Sequence, residues 1–67
     1  MLHLRINGES RCFDQVATVA DLVVALALTG KRVAVEQNGE IVPRGRHAET
    51  ALADQDVLEI VVAVGGG

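Results

Sequence analysis

Val57-Leu58-Glu59-Ile60-Val61-Val62-Ala63-Val64 is the stretch that decides the fold. Leu58, Ile60, Val62 and Val64 fall on one face of an extended chain. Val57, Glu59, Val61 and Ala63 fall on the other. A strand that is apolar on nearly both sides belongs in the middle of a sheet. Gly65-Gly66-Gly67 follows it directly. Without Cβ atoms the three glycines adopt almost any backbone conformation. Extended, they reach about 10 Å beyond the last anchored residue. The run therefore predicts a flexible tail, residues 65–67, carrying a terminal carboxylate past a folded body of residues 1–64. A frayed terminus is the plainer reading of the same residues.

The remaining elements are placed around that strand. Leu2, Leu4 and Ile6 alternate with His3, Arg5 and Asn7, the period of a half-buried strand. Asn7-Gly8 tolerates positive φ and predicts a hairpin turn into a second strand over residues 10–14, with Phe13 reaching the core. Thr18 and Asp21 have the spacing of a capping box, so a helix is expected over 19–29. Val19, Leu22, Val23 and Leu26 would face the core and Gly30 would end the helix. Val33 to Gln37 reads as a third strand, Asn38-Gly39 as a turn, and Ile41-Val42 as a short strand stopped by Pro43. Residues 44–50 read as a polar loop with a short helical turn, and Asp54-Gln55-Asp56 as a solvated turn into the last strand. The order is α+β: a mixed sheet of four to five strands with one main helix across one face. If the first and last strands pair in parallel at its centre, the arrangement is the β-grasp. Val61 and Ala63 would then form a modest apolar patch on the uncovered face, either a docking site or ordinary surface apolarity.

Composition narrows the function classes. The 67 residues form one domain, 49% hydrophobic, with a formal charge of −3. Phe13 is the sole aromatic, which argues against base stacking, and the acidic balance argues against a phosphate-backbone partner. Cys12 is the sole cysteine, so no internal disulfide forms, which fits a reducing cytoplasm. Neither a signal peptide nor a run long enough to span a bilayer is legible, so no membrane role is expected. His3, His47 and Cys12 are scattered over separate predicted elements and do not make a metal motif. Cys12 reads as a small buried hydrophobe, with a Cys–His pairing to His3 or His47 as the other reading. Lys31-Arg32 and Arg44-Gly45-Arg46-His47 read as solvated loop charges or as a steering patch. No glycine-rich phosphate loop and no acid–base pair is visible. The chain is read as a carrier rather than an enzyme, its terminal carboxylate loaded by a partner's active site.

Asn38-Gly39-Glu40-Ile41-Val42-Pro43-Arg44 resembles the asparagine, short gap and Ile-Val-Pro-Arg of the ThiS family, ubiquitin-like sulfur carriers of thiamine biosynthesis. Asn7-Gly8-Glu9, Thr18-Val19 with Leu22, Val33-Ala34-Val35-Glu36 and the closing Gly66-Gly67 agree with it, and the resemblance covers nearly the whole chain. It implies a β-grasp fold with no cofactor of its own. It also implies that Gly67 is adenylated by an E1-like enzyme using ATP and receives sulfur from a persulfide donor. The resulting thiocarboxylate would supply thiazole synthase, with Gly65 and Gly66 threading the partners' active sites. Where the family commonly has Asp-Gly-Asp, this chain has Asp54-Gln55-Asp56; a positive φ there would cost about 1–2 kcal/mol. The small subunit of molybdopterin synthase, a carrier for another pathway, a covalent protein modifier and a non-catalytic β-grasp interaction module are the alternatives.

Overall fold

The computed structural model describes residues 1–63; the expectations for Val64 and for Gly65, Gly66 and Gly67 lie outside the described residues. The elements are β1 (Leu2–Ile6), β2 (Glu9–Phe13), α1 (Val19–Ala25), β3 (Val33–Gln37), β4 (Glu40–Val42), a 3-10 turn (Arg44–Arg46) and β5 (Asp56–Val62). They build a five-stranded sheet in the order β2-β1-β5-β3-β4. β5 takes the central place and pairs in parallel with β1, Leu4 opposite Asp56 and Ile6 opposite Leu58. All other pairings are antiparallel. The expected α+β, β-grasp arrangement is the one observed.

One face of the sheet is sealed by α1. Leu4, Ile6, Val35, Val42, Leu58 and Ile60 meet Val19 and Leu22 there, with Phe13, Leu26, Leu28 and Leu52 packed around them. Leu22, Leu58, Val19 and Val35 are fully buried, each a gain of about 2–3 kcal/mol over exposure. The entry to α1 follows the expected capping box. Thr18 Oγ1 accepts from the Asp21 N–H at 3.1 Å, and Asp21 Oδ2 accepts from the N–H groups of Thr18 at 3.1 Å and Ala17 at 2.9 Å. The Ala17 and Thr18 backbone bonds hold the Asp21 carboxyl below its ordinary value.

The exit of α1 differs from the sequence reading. The helix stops at Ala25, not at residue 29, because Ala27 turns left-handed at φ 60. Leu28 N–H bonds Val23 O and Ala27 N–H bonds Val24 O, both at 3.0 Å, which is the Schellman closure. Alanine occupies the position that favours glycine. Gly30, expected to cap the helix, instead sits at φ 84 in the next turn, closed by Lys31 N–H to Leu28 O. Val23, expected to face the core, is only half-buried and is not among the residues packed against it. β2 begins at Glu9 rather than Ser10 because the Asn7-Gly8 turn, with φ 51 and 85, brings Glu9 directly opposite Ile6.

Two loop readings are corrected. Asp54 and Asp56 do not simply solvate a turn, since both bind across elements. His47, read as part of a solvated basic loop, is 9% exposed, and its backbone oxygen accepts from the Ala20 N–H at the start of α1.

Candidate functional site

The uncovered face of the sheet holds the surface side chains that the strand alternation places away from the core. β5 contributes Val57, Glu59 and Val61 there, flanked by Arg5 on β1 and by Ala34 and Glu36 on β3. Val61 is 64% exposed and Ala63 is exposed, as expected for the patch. Ile41 on β4, 76% exposed opposite Glu36, escaped the sequence reading because its strand is short, while Val57, placed on this face by the strand alternation, is 46% exposed beside Arg5. Glu36 and Glu59 stand directly opposite one another in the middle of this surface. Like charges at that spacing are unfavourable. Val57, Val61, Ala34 and Ile41 thus border two carboxylates, with Arg5 beside Val57.

The strand that leads toward the glycines is clamped along its length. Asn7 Oδ1 accepts from the Ile60 N–H at 2.8 Å while its Nδ2 donates to Ile60 O at 3.0 Å. On the opposite side Asn38 Oδ1 accepts from the Val57 N–H at 2.9 Å and Nδ2 donates to Asp56 Oδ1 at 2.9 Å. The two turn asparagines therefore extend the β1 and β3 ladders onto β5, a role that a turn motif alone does not reveal. At the far end the Ala63 N–H donates to Arg32 O at 2.8 Å. This is the last tether among the described residues before the glycines.

Asp56 anchors the other end of β5. It is 8% exposed, and its carboxylate accepts from Gln37 Nε2 at 2.8 Å, Asn38 Nδ2 at 2.9 Å and the Ala53 N–H at 2.8 Å. Burial opposes its charge, yet the Ala53, Asn38 and Gln37 donors outweigh burial and hold the carboxyl below its ordinary value. Gln55 beside it sits at φ 73, so the turn does require the positive φ that Asp-Gly-Asp would supply. Asp54 accepts at Oδ1 from both the backbone N–H of His3, at 2.7 Å, and the His3 ring Nδ1, at 2.9 Å. Those bonds, with one from Gln55, lower its pKa.

No group of three or more His, Cys, Asp or Glu placed for a metal occurs among the described residues. No helix there is long and apolar enough to cross a membrane. Cys12, read as a buried hydrophobe, is exposed on the edge strand β2. The fold therefore leaves exposed a sheet face that carries Val57, Val61 and Ile41 on and beside β5.

Comparison with known proteins places this arrangement. Over 66 residues the chain is 47% identical to a thiazole synthase of Paramagnetospirillum magneticum, covering 98% of this chain and 20% of that protein. The chain thus spans about a fifth of the length of the thiazole synthase it matches. It is 42% identical over 65 residues to the sulfur carrier protein ThiS of Bacillus subtilis, covering 96% of this chain and 98% of that one. The crystal structure of a thiamine biosynthesis protein, ThiS, from Geobacter metallireducens superposes with a TM-score of 0.80 at 32% identity. That match covers 98% of this chain and all of that one. The ThiS family model matches residues 4–67, from within β1 through the terminal glycines, and the chain belongs to the ThiS family.

Proposed function

We propose that this chain is a sulfur carrier of thiamine biosynthesis, acting in the cytoplasm as a co-substrate rather than a catalyst. The observation that carries the reading is the near end-to-end match to a ThiS sulfur carrier, within a family match that runs through Gly67.

A carboxylate is a poor electrophile because its leaving group would be oxide. Adenylation of the Gly67 carboxylate by an E1-like enzyme, with ATP bound by that enzyme, makes the carbonyl attackable. The terminal sulfur of a persulfide donor displaces AMP to give an acyl disulfide, and attack of a thiol on the donor's sulfur breaks that S–S bond, releasing the thiocarboxylate and leaving the donor and the thiol joined as a disulfide. Glycine at 65, 66 and 67 puts no side chain in the path of the attack. Thiazole synthase is the acceptor in this scheme. The partial matches to thiazole synthases support it, since their sequences include a segment like this chain. Val61, Ala63, Val57 and Ile41 form the docking surface, and the Glu36–Glu59 pair gives it a polar centre.

The test is intact mass after incubation with the cognate activating enzyme, ATP and a sulfur donor. Exchange of one terminal oxygen for sulfur adds about 16 Da by atomic-mass arithmetic on this acyl exchange. Deletion of Gly67 abolishes the gain and leaves folding intact. An unchanged mass with a competent enzyme would instead favour an inert β-grasp interaction module.

A further inference from the structure

The two edges of the sheet differ. β4 has three residues and is stopped by Pro43, two devices that keep an edge from pairing. β2 has five residues, without proline, lysine or bulge, in unbroken register with β1. The His3 N–H donates to Asp54 and the His3 carbonyl accepts from the Gln55 N–H, both on the side away from β2. Backbone groups alternate along a strand, so Leu2, Leu4 and Ile6 bond β2, and Phe13, Arg11 and Glu9 bond back. The N–H and carbonyl groups of Ser10 and Cys12 therefore point outward, and among the described residues none has a partner.

A groove of about 440 Å³ opens beside this edge on the helix face. Phe13, Val16 and the largely exposed Val24 give it apolar walls, and Asp14 and Asp21 give it negative charge without a cation of its own. Asp21 spends only Oδ2 on the capping box, and Asp14 makes no ion pair among the described residues. Arg11 projects to the same face. Its guanidinium carbon lies 5.4 Å from the centre of the Phe13 ring, and it too makes no ion pair there.

We propose that β2 pairs antiparallel with β2 of a second copy of this chain, about a two-fold axis at Cys12, so that two sheets of five strands become one. Such an axis keeps both helices on one face, so a residue facing the helix meets another that does. Centring on Arg11 would set two guanidiniums against each other, and like charges repel. Centring on Ser10 or Glu9 would run the ladder into the Asn7-Gly8 turn, where φ is 51 and 85 and the chain is not extended. Centring on Phe13 would run it into Gln15, left-handed at φ 47. Centring on Cys12 exchanges bonds between the outward groups of the two Cys12 residues and sets each Arg11 opposite Phe13 of the second copy. Each Arg11 then reaches the acidic groove of the other molecule, its stem along the apolar walls and its charge toward Asp14. Two short edges bury less than the roughly 1,200 Å² of a standard interface, so association is weak, with Kd on the order of 0.1–1 mM.

The test is sedimentation of the whole chain under reducing conditions, from about 0.02 to 2 mM, a range that spans that Kd. The apparent mass should rise from one chain toward two. Arg11→Glu and Asp14→Arg each set like charges together and should raise Kd about tenfold or more, and the double variant should return it to within about threefold of the parent. Val61→Asp, on the uncovered face, and Cys12→Ser, which keeps the backbone, should leave it unchanged. Cys12→Pro deletes the outward N–H at the axis without touching the β1 ladder and should leave a monomer. Circular dichroism shows whether each variant is folded, and the charge swap decides where the proline variant unfolds. A chain that stays monomeric to the top of that range, or a dimer indifferent to the charge variants, overturns the proposal. The measurement needs no partner enzyme, so its outcome is independent of the sulfur-carrier reading.

Discussion

Replacing Asp56 by alanine should cost this domain much of its stability. The carboxylate is 8% exposed and receives three hydrogen bonds, from Gln37, Asn38 and the Ala53 backbone. A hydrogen bond to a charged group is worth about 1.5–3 kcal/mol, and a buried donor left unpaired costs about 1–3 kcal/mol. The three are not equally exposed to loss. Gln37 Nε2 also donates to Ala51 O at 3.0 Å and keeps that partner, and Asn38 lies at an exposed turn where water replaces the bond. The Ala53 N–H carries most of the penalty. The sum is about 2–4 kcal/mol, against a total of about 3–10 kcal/mol for a domain of this size. Urea denaturation followed by circular dichroism measures it, at constant m-value. The sign with pH follows from the lowered pKa. The charge contributes its stability above the ordinary value of 3.8 and loses it as pH falls through the folded value below that. The parent therefore weakens on acidification below about pH 4, and Asp56→Ala flattens that limb. A variant within about 0.5 kcal/mol of the parent, the range of an inconsequential surface change, would refute the reasoning.

Further outcomes concern the turns, the cap and the face. Ala27→Gly and Gln55→Gly each relieve a left-handed non-glycine residue. The relief of about 1–2 kcal/mol is offset by about 0.4–1 kcal/mol of unfolded-chain entropy, so each should raise the urea midpoint modestly; a lowered midpoint would contradict the turn assignment. Thr18→Ala removes the acceptor of the Asp21 N–H and should cost about 1 kcal/mol in the same titration. Val61→Asp adds a charge to the uncovered face beside Glu59. It should leave the midpoint within about 0.5 kcal/mol yet weaken calorimetric binding to the activating enzyme or thiazole synthase by tenfold or more. Unchanged affinity would remove Val61 from the docking surface.

What the sequence disclosed was what neighbours along the chain decide. The period of two in Leu2-Leu4-Ile6 and in Leu58-Ile60, the two Asn-Gly turns, and the Thr18–Asp21 box each depend on a few adjacent residues, and each was legible. The central place of β5 followed from its apolarity on both sides, while its parallel pairing with β1 entered the sequence reading only as the condition for a β-grasp. The end of α1 was not legible, because no local rule favours alanine at φ 60; tertiary packing of Leu26 and Leu28 against the core accompanies it. Asp56 looked like a turn acid because two of its three partners come from the distant β3–β4 hairpin. His3 and Cys12 looked scattered and Asp54 looked like a solvated turn acid, because strand register sets His3 opposite Cys12 and a loop 51 residues further on brings Asp54 to His3. Residues whose role is set by register or by a remote loop carry no local signal.

The account turns on whether Gly67 can be loaded with sulfur. Intact-mass measurement of the chain after reaction with its activating enzyme, ATP and a sulfur donor answers that directly. The carrier reading predicts a gain of about 16 Da, localised to the terminal glycine by fragmentation and absent when Gly67 is deleted. A chain that keeps its original mass beside an enzyme that loads another ThiS protein would contradict it.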